Sequence, residues 1–341
     1  MRLIQFFIPG NGRRIGVVED DRVFDLTAID PDWRYIYDLF FHARENKCTI
    51  DEYIAQFNYR DTQTFVYSDL LKHHPGDYNG WILPTLDHRD PAHCIITGTG
   101  LTHLGSMAQR NSMHKEAQKE KTDSQKMFEM GLEGGKPEPG ARGVSPEWFY
   151  KGNGHILRGH NDYLDIPSFT DDGGEEPEIV GCYIIGKDRM PYRLGFAVAN
   201  EWSDHAVERV NYLWLAPSKL RTCSVGPELL TNQLFKDVRG FCRIYRGEEV
   251  IYDSGELLTG EDNMSHSLTN LEDHHFKYPQ FRVPGDVHIH FFGTMKLSYE
   301  SRDKFQNNDR IEVKFDGMGE ALVNYIRRIG QKSSPFEIRK G

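Results

Sequence analysis

The sequence predicts an α+β protein in which a small N-terminal domain, residues 1–80, precedes a larger β-rich domain, residues 81–341. Three observations lead there. Strand-like runs dominate from Trp148 onward, residues 31 to 73 repeat apolar side chains every three or four positions, and 341 residues suit two domains or one with an appendage.

Taken in order, "RLIQFFIPGNGRRIGVVEDDRVFDL" sets short apolar runs between "GNG" and "EDD", the residues of tight turns, and reads as strands joined by them. "YIYDLFFHA" and "TIDEYIAQF" carry the helical spacing. "DHRDPAHCIITGTG" reads as a linker running into a buried strand. The polar, helix-favouring "LGSMAQRNSMHKEAQKEKTDSQKMFEMGL" follows, and then the Gly- and Pro-rich "EGGKPEPGARGVSPE". A long polar segment between a glycine-rich strand end and the next core element suits an active-site lid, here residues 104–145. Beyond it, "YIIG", "LGFAVAN", "GFCRIYRG", "EVIYDSG", "VHIHFFG" and "RIEVKF" all read as strands.

Composition excludes several classes. A net charge of −10 argues against nucleic acid and anionic membrane surfaces as partners. No run approaches the length of a membrane helix, and "MRLIQFFIPGNGRR" lacks the layout of a signal peptide. Five cysteines without CxxC spacing point to a reduced, cytoplasmic protein with neither a disulfide frame nor a thiolate zinc site.

The chemistry centres on "EEPEIVG". Proline is at home at the first residue of a strand, so Glu176-Pro177-Glu178 should open one, with both carboxylates on the same face. Two like charges there repel unless a cation neutralises them, and oxygen ligands at this spacing suit Mg²⁺, Mn²⁺ or Ca²⁺. A solvated acidic turn is the competing reading, because Asp171, Asp172 and Glu175 lie close by. The next strand pair tips the balance. "IVGCYIIGKDRMPYRLGFAVANEWSD" reads as a strand, a turn around Lys187 to Tyr192, and a second strand ending at Asn200-Glu201. Such a hairpin returns Glu201 towards Glu176 and Glu178, which makes three carboxylates with positions left open for a substrate.

Together and in order, "EEPEIVG", "RLGFAVANEWSD", "SKLRTCSVGPEL", "HFFGT" and "DRIEVKFDGMGEALVN" resemble the fumarylacetoacetate hydrolase superfamily, and most of all its sugar-acid branch of 2-keto-3-deoxy-arabinonate dehydratases. The resemblance runs from about Cys94 to Ile326. It implies a mixed β-roll catalytic domain, a homodimer or higher homo-oligomer, and Mg²⁺ or Mn²⁺ held by Glu176, Glu178 and Glu201. The family usually has Asp where Glu201 stands, so the ion would sit slightly differently. By the same resemblance Lys219 is the active-site lysine, Thr294 lies in the turn that binds the substrate carboxylate, Glu147 is a general acid or base, and Lys151 helps bind or pair within the site. On their own residues, Lys219 reads as a surface lysine, "GT" as an ordinary turn, and Glu147 as a helix-start glutamate after Pro146.

The hydrolase members carry an Asn-Tyr-x-x-His-x-x-Glu element that is absent here. His103 is the nearest histidine, one place early, with Met107 and Ala108 near where the partner Glu would stand. A His-Glu dyad for activating water is therefore not evident, and His103 and His114 read as lid histidines or surface groups. His288 and His290 share a strand face and offer an imidazole pair, with His274 and His275 upstream, though such histidines are often structural. The expected activity is metal-dependent dehydration of a 2-keto-3-deoxy sugar acid to a keto-acid semialdehyde. Hydrolysis of a C–C bond in a 2,4-diketo acid is the second reading, and a non-catalytic sugar-acid-binding protein the third.

Overall fold

The computed structural model describes residues 1–105, 122–330 and 334–341. Its first strands, Arg2–Ile8, Gly12–Glu19, Arg22–Asp25 and Thr64–Val66, form an antiparallel series. The helical spacing of the next stretch becomes helix Ile36–Glu45, followed by the shorter Ile50–Ile54 and Tyr67–Leu70. Helix Ile50–Ile54 is only five residues long, and a capping box defines its start: Thr49 Oγ1 accepts from Glu52 N at 3.2 Å while Glu52 Oε2 accepts from Thr49 N at 2.8 Å.

Among the described residues, thirteen strands form one sheet and six a second. Arg2–Ile8 pairs antiparallel with Leu229–Leu230, which pairs with Pro191–Asn200, so the N-terminal strands are continuous with the sheet that carries the candidate site. Beyond Pro191–Asn200 the sheet continues through Pro177–Ile185, Val287–Phe291, Cys94–Gly100 and Glu147–Asn153. Cys94–Gly100 runs parallel to Val287–Phe291, and the other contacts in this stretch are antiparallel. The sheets are therefore mixed.

Two apolar layers lie on either side of the large sheet. Helix residues Ile36, Leu39, Phe40 and Ile54 pack with Val180, Cys182, Ala197, Ala199, Ile289 and Phe291 in one layer. The second holds Ile179, Phe196, Val198 and Phe292 against Cys242, Ile244, Ile311, Val313 and Phe315 of the six-stranded sheet. Strand alternation produces this split: within Pro177–Ile185, Val180, Cys182 and Ile184 belong to the first layer and Ile179 to the second. Fully burying each of the Val, Leu, Ile and Phe side chains among these contributes about 1.5–3 kcal/mol.

The expected hairpin forms. Pro177–Ile185 and Pro191–Asn200 pair antiparallel, with Pro177 opposite Asn200 and Glu178 opposite Ala199, and the bend falls between Ile185 and Pro191. Pro177 is the first residue of its strand. Glu147, by contrast, opens a strand and not a helix, so the helix-start reading of that residue is corrected: the strand is claimed by pairing with Cys94–Gly100, where Gly100 stands opposite Glu147. His274 and His275 lie in helix Leu268–Phe276.

Part of the expected lid, residues 106–121 including His114, lies outside the described residues. The rest contains helix Asp123–Gly134 and a stretch tied to helix Leu268–Phe276. There Asn270 Oδ1 accepts from Gly143 N at 3.0 Å, Asn270 Nδ2 donates to Val144 O at 2.9 Å, and Arg142 pairs with Asp273.

Candidate active site

Glu176, Glu178 and Glu201 converge. One carboxylate oxygen from each lies within 4.8 Å of the others, and all three residues are buried. The geometry follows from the hairpin register. Glu176 precedes one strand and Glu201 follows the other, and Glu201 N donates to Glu176 O at 3.0 Å. The backbone turns sharply at once: Trp202 has φ +31°, a strained value for a bulky residue that costs of order 1–3 kcal/mol. Trp202 is held there by complete burial and by its indole N–H, which donates to Asp165 O at 2.9 Å.

Two lysines cross this acidic cluster. Lys219 Nζ donates to Glu176 Oε1 and Glu201 Oε2, each at 2.5 Å, and to Ser203 Oγ at 3.1 Å. Lys151, fully buried, donates to Glu201 Oε1 at 2.6 Å and to the carbonyls of Trp202 and Lys219 at 2.7 and 3.0 Å. These contacts use all three of its ammonium protons, so in this arrangement Lys151 holds Glu201 in place. His205 Nε2 lies 3.1 Å from Glu176 Oε1.

Burial raises the cost of every charge here, and the partners then separate the three carboxyls. Burial pushes Glu176 up, but the attraction of Lys219 and His205 overrides it and holds the group well below the usual carboxylate range. For Glu178, burial and then the repulsion of Glu201 and Glu176 drive the group well above that range. Glu201 is raised by burial and by Glu176, against the pull of Lys151 and Lys219. Lys219 is lowered by burial yet raised overall by Glu176 and Glu201, so it keeps its proton. Glu178 is thus the acidic oxygen source whose charge the protein compensates least. A divalent cation fits such a set: three buried oxygens within reach of one another, with Glu178 raised because burial and its like-charged neighbours outweigh the pull of Lys219.

The turn after Val287–Phe291 closes on this cluster. Gly293 N donates to Glu178 Oε2 at 2.7 Å, and Gly293 has φ +97° with Thr102 Oγ1 only 2.1 Å from where a Cβ would sit. No other residue type fits that turn. Thr294 follows, nearly buried, with its hydroxyl donating to Lys296 O at 3.2 Å. Glu147 is buried, and Tyr212 Oη donates to its Oε2 at 2.5 Å. Phe149, two residues along the same strand, lies under the Lys219 ammonium with the ring centroid 4.7 Å from Nζ. Gly98 makes room for that ring, since a Cβ there would stand 2.5 Å from Phe149 Cζ.

His103 lies among hydroxyls. Its Nδ1 is 2.9 Å from Thr102 Oγ1 and its Nε2 3.2 Å from Thr259 Oγ1, and burial lowers it to about 4. A histidine of that basicity is a weak proton acceptor. His288 and His290 are also buried and lowered to about 3, with His275 Nε2 3.0 Å from His288 Nδ1 and Thr97 Oγ1 2.7 Å from His290 Nδ1. Among the described residues, the one group of three converging ligand atoms is the glutamate trio and not these imidazoles.

Three participants were not picked out from the sequence. His205 and Tyr212 sit in "SDHAVERVNYLWLAPSK" without any spacing that marks them, and only the fold brings them to Glu176 and Glu147. Glu175, which in sequence looks like part of an acidic turn, is fully buried and accepts from Ser298 N and Oγ at 2.6 and 2.5 Å. That anchors the start of the ligand strand to the loop beyond Thr294.

No family model matches the chain. A probable 2-keto-3-deoxyxylonate dehydratase of Haloferax volcanii is 23% identical over 334 residues, covering 96% of this chain and all of the relative. Among solved structures, 2-keto-3-deoxy-D-arabinonate dehydratase complexed with magnesium and 2,5-dioxopentanoate superposes with a TM-score of 0.69 at 16% identity, over 97% of this chain and all of that one. Fumarylacetoacetate hydrolase from the psychrophilic Exiguobacterium antarcticum gives 0.60 at 14% identity, over 96% of this chain and all of that one. In fold, the chain is therefore similar to a 2-keto-3-deoxy-D-arabinonate dehydratase and to a fumarylacetoacetate hydrolase.

Proposed function

We propose that the protein is a hydro-lyase that dehydrates a 2-keto-3-deoxy sugar acid, of pentonate type, to a keto-acid semialdehyde. The observation that carries this is the buried Glu176/Glu178/Glu201 cluster crossed by Lys219, with Glu147 close by on the strand whose Phe149 covers the ammonium. The names of the similar proteins support the substrate class: one is a probable keto-deoxyxylonate dehydratase, and another was solved with magnesium and a dioxopentanoate.

On this reading Glu176, Glu178 and Glu201 hold Mg²⁺ or Mn²⁺. A bound divalent cation would polarise the keto and carboxylate oxygens and so acidify the protons on C3. Lys219 keeps its proton and stabilises negative charge growing on the substrate oxygens. Glu147 takes a C3 proton and returns it to the C4 hydroxyl, which leaves as water. The double bond left between C3 and C4 then tautomerises, with the C5 carbinol becoming the aldehyde. One water is lost and Glu147 ends as it began. Thr294 and the backbone of its turn receive the substrate carboxylate. The proposal includes residues 104–145 as a lid, residues 1–80 as a small N-terminal domain, and a homo-oligomer. Among the described residues, no helix is long and apolar enough to cross a membrane.

Two measurements test the reading. Isothermal titration of Glu178→Gln with Mn²⁺ is expected to show binding largely lost, because the replacement keeps the shape but not the charge. Affinity equal to the unaltered protein's would move the ion elsewhere. A panel of pentonate and hexonate 2-keto-3-deoxy acids, assayed for semialdehyde with and without Mg²⁺, is expected to show metal-dependent turnover. Pyruvate released from diketo acids, with no semialdehyde from the panel, would instead favour the C–C hydrolase.

A further inference from the structure

We propose that Tyr212 is a positioning residue for Glu147, and that the two work as one unit in the proton transfers of the dehydration. The inference rests on the proposed dehydratase reading. It starts from the chain between Glu201 and Lys219, an excursion that leaves the acidic cluster at one end and re-enters it at the other. Helix His205–Val210, the single turn Tyr212–Trp214 and helix Leu215–Ser218 make up this excursion. Side-chain caps fix each piece: Asp204 Oδ1 accepts from Val207 N at 3.0 Å, Asn211 Oδ1 from Leu213 N at 3.0 Å, and Ser218 Oγ donates to Leu215 O at 2.7 Å. Asp204 also pairs with buried Arg221 just beyond Lys219, closing the excursion at its base.

Tyr212 is carried on the middle of this braced loop, and its Oη donates to Glu147 Oε2 at 2.5 Å. A bond from a hydroxyl to a carboxylate is short and strong, and it strengthens as charge builds on the acceptor. With Oε2 held, the carboxyl cannot rotate freely, and Oε1 keeps one direction. Lys219 ends the same excursion, so the loop sets the acid–base group and the ammonium relative to each other.

Tyr212→Phe removes one oxygen and keeps the ring. Turnover of a keto-deoxy acid is expected to fall about 10- to 100-fold, the range for losing a hydrogen bond to a charged group, with KM and Mn²⁺ affinity within about twofold. In Glu147→Gln/Tyr212→Phe the second change is expected to cost nothing further. A Phe variant with full turnover overturns the proposal, and so does a double variant whose losses multiply. A loss expressed mainly as raised KM would mean that Tyr212 contacts substrate or shapes the pocket, and would overturn it as well. Glu147→Gln with full turnover would remove the acid–base assignment itself, and Tyr212 with it. Slow Glu147→Gln beside normal Tyr212→Phe would remove only the role of Tyr212.

Discussion

Lys219→Met is expected to cost turnover on the order of 10³-fold, as for the loss of a preorganised charge stabiliser, and to destabilise the fold by about 3–5 kcal/mol. The stability loss has a definite origin. Lys219 is 2% exposed and shares its ammonium between Glu176 and Glu201, so its removal takes the one ammonium from Glu176 and leaves Glu201 with that of Lys151 alone. Urea melts with and without Mn²⁺ measure this directly. Mn²⁺ is expected to restore a good part of the lost stability, since a cation held by the same oxygens can replace the missing charge, while turnover stays low. A variant that melts at the unaltered midpoint without metal would show that the ammonium is not what holds the carboxylates together.

The second large effect separates the two enzyme readings. Glu147→Gln is expected to cost on the order of 10²–10⁴-fold in turnover while substrate still binds, the range for loss of a general acid or base. His103→Ala is expected to cost less. Its imidazole is lowered to about 4 by burial and bonds to the hydroxyls of Thr102 and Thr259, which suits packing and positioning better than water activation. The opposite order of damage, with a diketo acid as substrate, would put C–C hydrolysis first.

Local signals made much of this legible in the sequence. Proline at the head of a strand, a turn rich in charged residues and a second apolar run were enough to place Glu201 opposite Glu176, because antiparallel pairing leaves few alternatives for so short a connection. Helix Ile36–Glu45 was likewise visible from its spacing. What escaped depends on contacts distant in sequence. Resemblance placed Lys151 in the site, but its pairing with Glu201 across 50 residues has no periodicity to betray it, and neither has that of Tyr212 with Glu147 across 65. Glu147 was assigned its part through resemblance, and its strand setting is dictated by a partner some fifty residues earlier, not by Pro146 beside it. Glu175 shows the same limit in reverse. Acidic neighbours suggest solvent, but a buried serine hydroxyl and amide claim that carboxylate.

The crossing of three carboxylates by two ammonium groups has a consequence for electroneutrality. Left alone, the cluster has one negative charge too many, and burial together with the repulsion of Glu201 and Glu176 raises Glu178 well above the usual carboxylate range. A divalent ion held by all three ionised carboxylates would leave one positive charge in surplus, buried where water cannot screen it well. The carboxylate of a keto acid carries the single negative charge that cancels that surplus. On the proposed reading, then, the metal and the acid depend on each other: the ion makes the cavity attractive to a monoanion, and the monoanion makes the filled cavity neutral. On that reading the ion would settle more firmly with the acid beside it than alone, an advantage that an uncharged sugar would not give.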